Sequence, residues 1–448
     1  MIRRHSLSAI HLFRKTLALV LAVLVVVEPA TAFTLTPARP AAPPPALHII
    51  QDIHAHAEAQ RSIAQILGRL RDAHHGRLRV GLEGAAGPLD FKAYRAFPDD
   101  HIRRNVSMEM LDAGRIAGPI LSGLCDNGFD IVGIETPALY VANVAAYRRA
   151  LPLQKSAQQA AAREREKIDG EKRARFTPEL LRFDAAVEAY RSGKSGLGEY
   201  LEQLSARSDA GLAVEAFLAA HRMEKSIDFA RVEAEKHALV ERLAGAFTEK
   251  EAEAARRWVA DALADDRGAS KRFEFLFHAA TGKGIDLRSY PALSSYVQYL
   301  RLAESIDTDR VFADAESMEE SAYRGLCARA PGSAEIVAAS RRLHLVEKLL
   351  RFELTHADWR AYENARPAGA PLPSVDLAPF EDFYRIAAQR DAALINNARS
   401  AAVDAVVVGG FHTEGLTRAL EKSGVAVDVV RPKITSASAV DATAYLTV

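Results

Sequence analysis

The chain has 448 residues, 49% of them hydrophobic and 26% charged, which is core enough for two or three domains and excludes a disordered protein. Its 58 Lys and Arg cancel its 58 Asp and Glu, so no basic field points towards nucleic acid as a partner.

At the start of the chain, Arg3, Arg4, Arg14 and Lys15 accompany an apolar run from Leu17 to Val27, and Ala30-Thr31-Ala32 forms a small-x-small cleavage site before Phe33. Residues 1–32 are expected to be a Sec-type signal peptide, which addresses the protein to the periplasm or the exterior. A retained N-terminal anchor is the alternative, although the run is about half the length of a spanning helix. The HSLSA that follows Arg3-Arg4 lacks the apolar pair of a twin-arginine signal. Without the leader the remainder carries a formal charge of −3, and no stable membrane span is expected. Residues 33–46, TLTPARPAAPPPA in the main, read as an extended Pro/Ala-rich linker. Cys125 and Cys327 allow one disulfide or two thiols, and neither lies where a lipoprotein would need it. The sequence carries no signal for an oligomeric state.

From residue 47 the pattern alternates strand, loop and helix. Leu47 to Ile50 is a short apolar strand, and Ile63, Ile66, Leu67 and Leu70 follow at helical spacing. RLRVGLEG gives a second strand and FDIVGIE a third. Residues 47–150 thus read as one half of an α/β domain and residues 380–448 as the other, where AVVVGG is a strand, Leu416 and Leu420 line a helix ending near Gly424, and VAVDVV is a final strand. Such alternation predicts a parallel-rich sheet covered on both faces. Between them, residues 151–379 are rich in Ala, Glu, Lys, Arg and Leu, and are predicted to be an all-helical insertion without a repeat.

In a parallel sheet every strand delivers its C-terminal end to one edge, where ligands bind. The first strand is followed by Asp52 and His54, with His56 close behind; the second ends in Glu83, the third in Glu135, and the fourth in Gly409-Gly410-Phe411-His412 with Glu414 beyond. His54, Glu83, Glu135 and His412 are therefore predicted to converge on one cleft. His56 and Glu58 have a simpler reading, as the opening of a helix whose positive end favours an acid. Phe383, Ala387, Arg390, Leu394 and Asn397 recur in steps of four and three and form one helix stripe. A guanidinium on a buried stripe needs an acid, so Arg390 is expected to reach Glu83 or Glu135, or else to snorkel to water.

QDIH after the first strand, LEG after the second, QRDAALINN on a helix and GGFHTEGLTRALEKSGVAVDVV at the end resemble the core signature of the erythromycin esterase, ChaN, TraB and Tiki group. The resemblance covers about the first hundred residues after the leader and the last seventy. Gly409 to His412 fits the group's G-x-x-H loop, and Arg390-Asp391 with Asn397 resembles the arginine helix of the esterase branch. Gln51 departs from the glycine of the group's first loop, and Asp52 stands where several members carry glutamate. The resemblance implies three chemistries. In the esterase branch a histidine is general base without metal; here His54 would take the proton, Asp52 or Glu83 would fix its tautomer and Arg390 would stabilise the oxyanion. The Tiki and TraB branch implies a divalent ion, Mn, Co or Zn, with His54, His56, Glu83, Glu135 and His412 as candidate ligands. The ChaN branch implies haem. The expectation is an exported hydrolase of an ester or amide, acting on a small molecule or peptide through activated water, with metal favoured. The alternative is a non-enzymatic haem- or ligand-binding envelope protein, or a helical scaffold with a degenerate site. No G-x-S-x-G elbow or phosphate loop points elsewhere.

Overall fold

The computed structural model describes residues 47–54, 56–248, 269–366, 372 and 374–432; the expected leader and linker lie outside them. Two compact units emerge. One combines the described residues within Ala41–Phe176 and Gly332–Val448 and holds the sheet; the other falls within Thr177–Pro331.

The sheet has six strands, β1 (Leu47–Asp52), β2 (Leu78–Leu82), β3 (Ala86–Pro88), β4 (Phe129–Ile134), β5 (Ala405–Gly409) and β6 (Val427–Val430), in the order β3-β4-β2-β5-β1-β6. All neighbours are parallel except β3, which runs antiparallel to β4 at the edge. The five expected strands are present and both chain ends build them, so the predicted α/β class holds. The short β3 was not expected, since AGP carries no alternating pattern. It exists because Gly84, at φ +78°, turns the chain straight back after β2. The returning backbone crosses so close to β4 that a Cβ on Gly133 would stand 2.1 Å from the carbonyl carbon of Ala85.

Alternation along the strands divides the core in two. Ile50, Leu78, Val80, Ile131, Ala405 and Val407 face α1 (Ala57–Ala73) and the short helix α3 (Gly118–Cys125), reached after α2 (Asp100–Asp112). On the other face Ile49, Ile134, Val406 and Val408 pack on Leu394 and Ala398 of one C-terminal helix and on Leu416 and Leu420 of another. These are α7 (Ala378–Ser400) and α8 (Gly410–Lys422), which follow α4 (Pro137–Arg175), α5 (Ser333–Arg351) and α6 (His356–Ala365) in the chain. Each fully buried aliphatic side chain here contributes roughly 1.5–3 kcal/mol.

The sheet-bearing unit is wider than residues 47–150 and 380–448. Helix α4 runs unbroken past Leu151 to Arg175, carrying Pro152 within it. Pro152 removes one backbone donor, yet Ala146, Tyr147, Ala150, Ala157 and Ala161 keep a buried face on both sides of it. Helices α5 and α6 belong to the same unit. The unit within Thr177–Pro331 is all-helical among its described residues, with Phe183, Leu201, Val214, Leu239 and Leu293 fully buried. Its interior also holds polar pairs: the Tyr200 hydroxyl donates to Glu319 at 2.6 Å and that of Tyr323 to Asp184 at 2.9 Å. Cys125 and Cys327 are both free thiols. No helix among the described residues is long and apolar enough to cross a membrane.

Candidate functional site

The register decides which residues meet. Leu82 lies beside Gly133 on one side and Val407 on the other, and Asp52 beside Gly409, so Glu135, Glu83, Gly409 and Asp52 leave the sheet within two rungs of one another. Side-chain alternation then chooses the face. Leu82 belongs to the α1 side, so Glu83 turns to the side covered by α7, while Asp52 turns back towards α1.

Arg390 of α7 meets the acids as the stripe predicts, and it reaches both. Its Nη2 donates to Glu83 Oε1 at 2.8 Å and to Glu135 Oε2 at 2.6 Å, while Nε donates to Glu135 Oε1 at 3.2 Å. Its Nη1 donates to Asn143 Oδ1 at 2.9 Å, and Asn143 is itself held by the Phe383 carbonyl at 2.8 Å. The ring of Tyr140 lies beneath the guanidinium, 5.4 Å from its carbon. With only 3% of its side chain exposed and every nitrogen engaged, Arg390 organises the two glutamates. That differs from the oxyanion-stabilising role implied by the resemblance. Asn397, about two turns further on, donates to the Ile134 carbonyl at 2.9 Å and to the Thr136 hydroxyl at 3.2 Å, which fixes the end of β4 beneath Glu135.

Glu83 is the centre of the site. Besides Arg390 it accepts the Gly409 N–H at 2.7 Å through Oε2, and its Oε1 lies 3.4 Å from His412 Nε2. Burial alone would raise its pKa, but the charges of His412, Arg390 and His54 and the Gly409 N–H outweigh burial and bring it down to about 2. Glu83 is therefore a permanent anion at neutral pH.

The two expected histidines occupy different surroundings. His412, in the first turn of α8, is 4% exposed, and its Nδ1 lies 2.6 Å from Asp391 Oδ1. His54 is the solvent-facing member, its side chain 26% exposed, with Nδ1 2.6 Å from Asp52 Oδ2. Asp52 is fixed in turn by Gln60, whose Nε2 donates to Oδ1 at 2.5 Å while its Oε1 accepts the Gly118 N–H at 2.7 Å. A carboxylate only accepts, so the His54 proton sits on Nδ1 and leaves Nε2 to face the other way. That nitrogen stands near the gap at Gly409, where a Cβ would lie 3.4 Å from it and 3.5 Å from Glu83 Oε2. Burial pulls the His54 pKa down, but the hydrogen bond and charge of Asp52, with Glu83, raise it above the usual 6.5.

Other residues singled out from the sequence serve the frame. His56 caps α1, its Nδ1 accepting the Ala59 N–H at 3.3 Å, which is the simpler of its two readings. Glu414 accepts the Ala357 N–H at 3.0 Å and pairs with Arg418 at 2.6 Å, tying α8 to the start of α6. At Gly410 a Cβ would come within 3.1 Å of Gln51 Nε2. Sequence reasoning missed His356, whose Nε2 lies 3.1 Å from Asp391 Oδ2, and it assigned no role to Asp391, Asn143 or Gln60. The only local hint at His356 was Thr355-x-x-Asp358, which marks a helix start but says nothing of where that helix lies.

Among the described residues no group of three or more His, Cys, Asp or Glu side chains is arranged to hold a metal ion. The physical reason is Arg390, which puts a guanidinium between Glu83 and Glu135 where a cation would have to sit, while His56 Nδ1 serves the helix. No family model matches the chain, and no curated protein or solved structure is significantly similar to it.

Proposed function

We propose that the protein is an exported hydrolase that cleaves an ester or amide of a small molecule or peptide with water activated at His54. The observation carrying this reading is the Asp52–His54 pair: a partly exposed imidazole, held by a buried acid at 2.6 Å, opens towards Glu83 at a sheet edge. Neutral His54 takes a proton from water through Nε2 while Asp52 holds Nδ1–H and steadies the imidazolium that forms. The hydroxide adds to the carbonyl carbon, and the imidazolium returns its proton to the leaving oxygen or nitrogen as the tetrahedral intermediate collapses. Stabilisation of the oxyanion falls to N–H groups in the first turn of α8, at the same rim. Arg390 and Glu135 hold Glu83 in place.

A screen of ester and peptide substrates against the protein without its leader tests the reading. Turnover is expected to survive a chelator and to fall by at least a hundredfold in His54→Ala, the usual scale of general-base loss. Full activity in His54→Ala, or loss of activity to chelator with restoration by a divalent ion, would overturn it.

A further inference from the structure

The third imidazole of the network lies outside the segments that carry the family resemblance. His356 opens α6, and three separate contacts fix it. Thr355 and Asp358 form a reciprocal capping box, Lys348 of α5 pairs with Asp358, and Glu414 of α8 accepts the N–H of Ala357 at 3.0 Å. The ring packs on Phe411, centroids 5.2 Å apart, one residue before His412. Gly415 faces the junction, and a Cβ there would come within 2.2 Å of Asp391 Oδ2 and 3.0 Å of His356 Cδ2, so no other residue leaves room for the pair.

Asp391 thus lies between two imidazoles, Oδ1 at 2.6 Å from His412 Nδ1 and Oδ2 at 3.1 Å from His356 Nε2. We propose that His356 is a positioning residue of this site: it shares the Asp391 carboxylate with His412 and so fixes the ring that His412 presents to Glu83. The groups facing it are Asp391 from α7, Glu414 from α8 and Arg360 from its own helix; those facing His412 are Asp391 and Glu83, with Arg390 behind Glu83. The hydrogen bond to Asp391 holds the His356 pKa above 6.5 against burial, while its Nδ1 is buried without a hydrogen-bond partner among the described residues. His356 touches no reacting atom. The proposal rests on the hydrolase reading only for its consequence on rate.

The test is a ring NMR titration of the full chain after leader removal, with signals assigned from variants lacking each histidine. In the wild type the His412 ring signal should show a step at the His356 midpoint, carried through the shared carboxylate. His412→Gln should raise the proton affinity of His356 about tenfold, a shift of one pH unit, and Asp391→Asn should lower it by at least as much. His356 moving by less than 0.2 unit in both variants, or no shared step in the wild type, would overturn the proposal (about one-fifth of the expected shift). The wild-type measurement stands even if a variant fails to fold. If an active substrate is found, His356→Gln, which keeps a donor towards Asp391, should displace the pH–rate profile while leaving KM unchanged. Coupling seen by NMR without hydrolysis would sink the enzyme reading alone; hydrolysis without coupling would sink this proposal alone.

Discussion

Replacing Arg390 by Met keeps the side chain's length and helix propensity and removes four hydrogen bonds, to Glu83, twice to Glu135 and to Asn143. The two acids then fare differently. Glu83 keeps the Gly409 N–H and the nearby His412 and His54. Glu135, with 3% of its side chain exposed, is left with the N–H groups of Gly84 at 3.4 Å and Thr136 at 3.2 Å. Breaking a buried pair from one side costs about 3–5 kcal/mol because the surviving charge stays desolvated, and that is the expected loss at pH 7. Arg390→Lys should fall between, since an ammonium cannot make the paired contact with Glu135. Trp359 reports on this unit, buried and stacked on Tyr362 and Tyr384 with centroids 5.7 and 5.5 Å away. Urea unfolding followed by its fluorescence, in a Trp258→Phe background, gives the number. A loss under about 1 kcal/mol, or Lys as stable as Arg, would show that the guanidinium does not hold these acids together.

Four further outcomes follow from the geometry. Glu83 is pulled from 4.5 to about 2, so it contributes roughly 3 kcal/mol that is complete above pH 4.5 and lost as the pH falls towards 2; acid unfolding of Glu83→Gln should lack that share. His54 has the opposite sign: raised above 6.5, its stabilisation is complete below 6.5 and fades as the pH rises through the folded-state value, while the base form needed for hydrolysis appears. The rate should therefore climb on the alkaline side of 6.5, and a profile flat from there upward would refute His54 as base. Gly409 has φ −61° and ψ 160°, which alanine adopts freely, so Gly409→Ala should fold normally, yet its methyl would fill the gap beside His54 Nε2 and cut turnover at least tenfold. Gly415→Ala should instead destabilise the unit, because the new Cβ would meet the buried Asp391 carboxylate at 2.2 Å; a thermal midpoint equal to wild type would contradict the packing.

The strands of this protein are legible because they are announced locally. Short β-branched or apolar runs ending in glycine or an acid need no partner to be recognised, and their parallel order puts Asp52, His54, Glu83, Glu135 and His412 at one edge. Arg390 is legible for a related reason, since a cation on an apolar helix stripe needs an acid inside the fold. The helical stretch from 151 to 379 offered no such handle. Composition says helix throughout it, and nothing in the run of Ala, Glu and Arg distinguishes α4, which continues past Leu151 in the sheet's own unit, from the helices within Thr177–Pro331. Where a helix packs is set by contacts hundreds of residues away, and His356 went unnoticed with the helix that carries it.

Charge counting could not have recovered His356. The acids legible at the rim were Asp52, Glu83, Glu135 and Glu414, and the cationic or protonatable groups were Arg390, His54, His56 and His412, four against four. The pair left out, Asp391 and His356, is itself one acid and one imidazole, bound to each other at 3.1 Å. A site built from neutral pairs looks complete with one pair missing. Only a feature that breaks this symmetry could have exposed the omission, and the molecule has one: Asp391 adjoins Arg390 on α7 and is 7% exposed. Two neighbouring residues on a helix point about 100° apart, so an acid buried beside an already committed arginine must find its own partner on another face. His412 supplies that partner for one oxygen. The second oxygen remained to be accounted for, and accounting for it leads to α6.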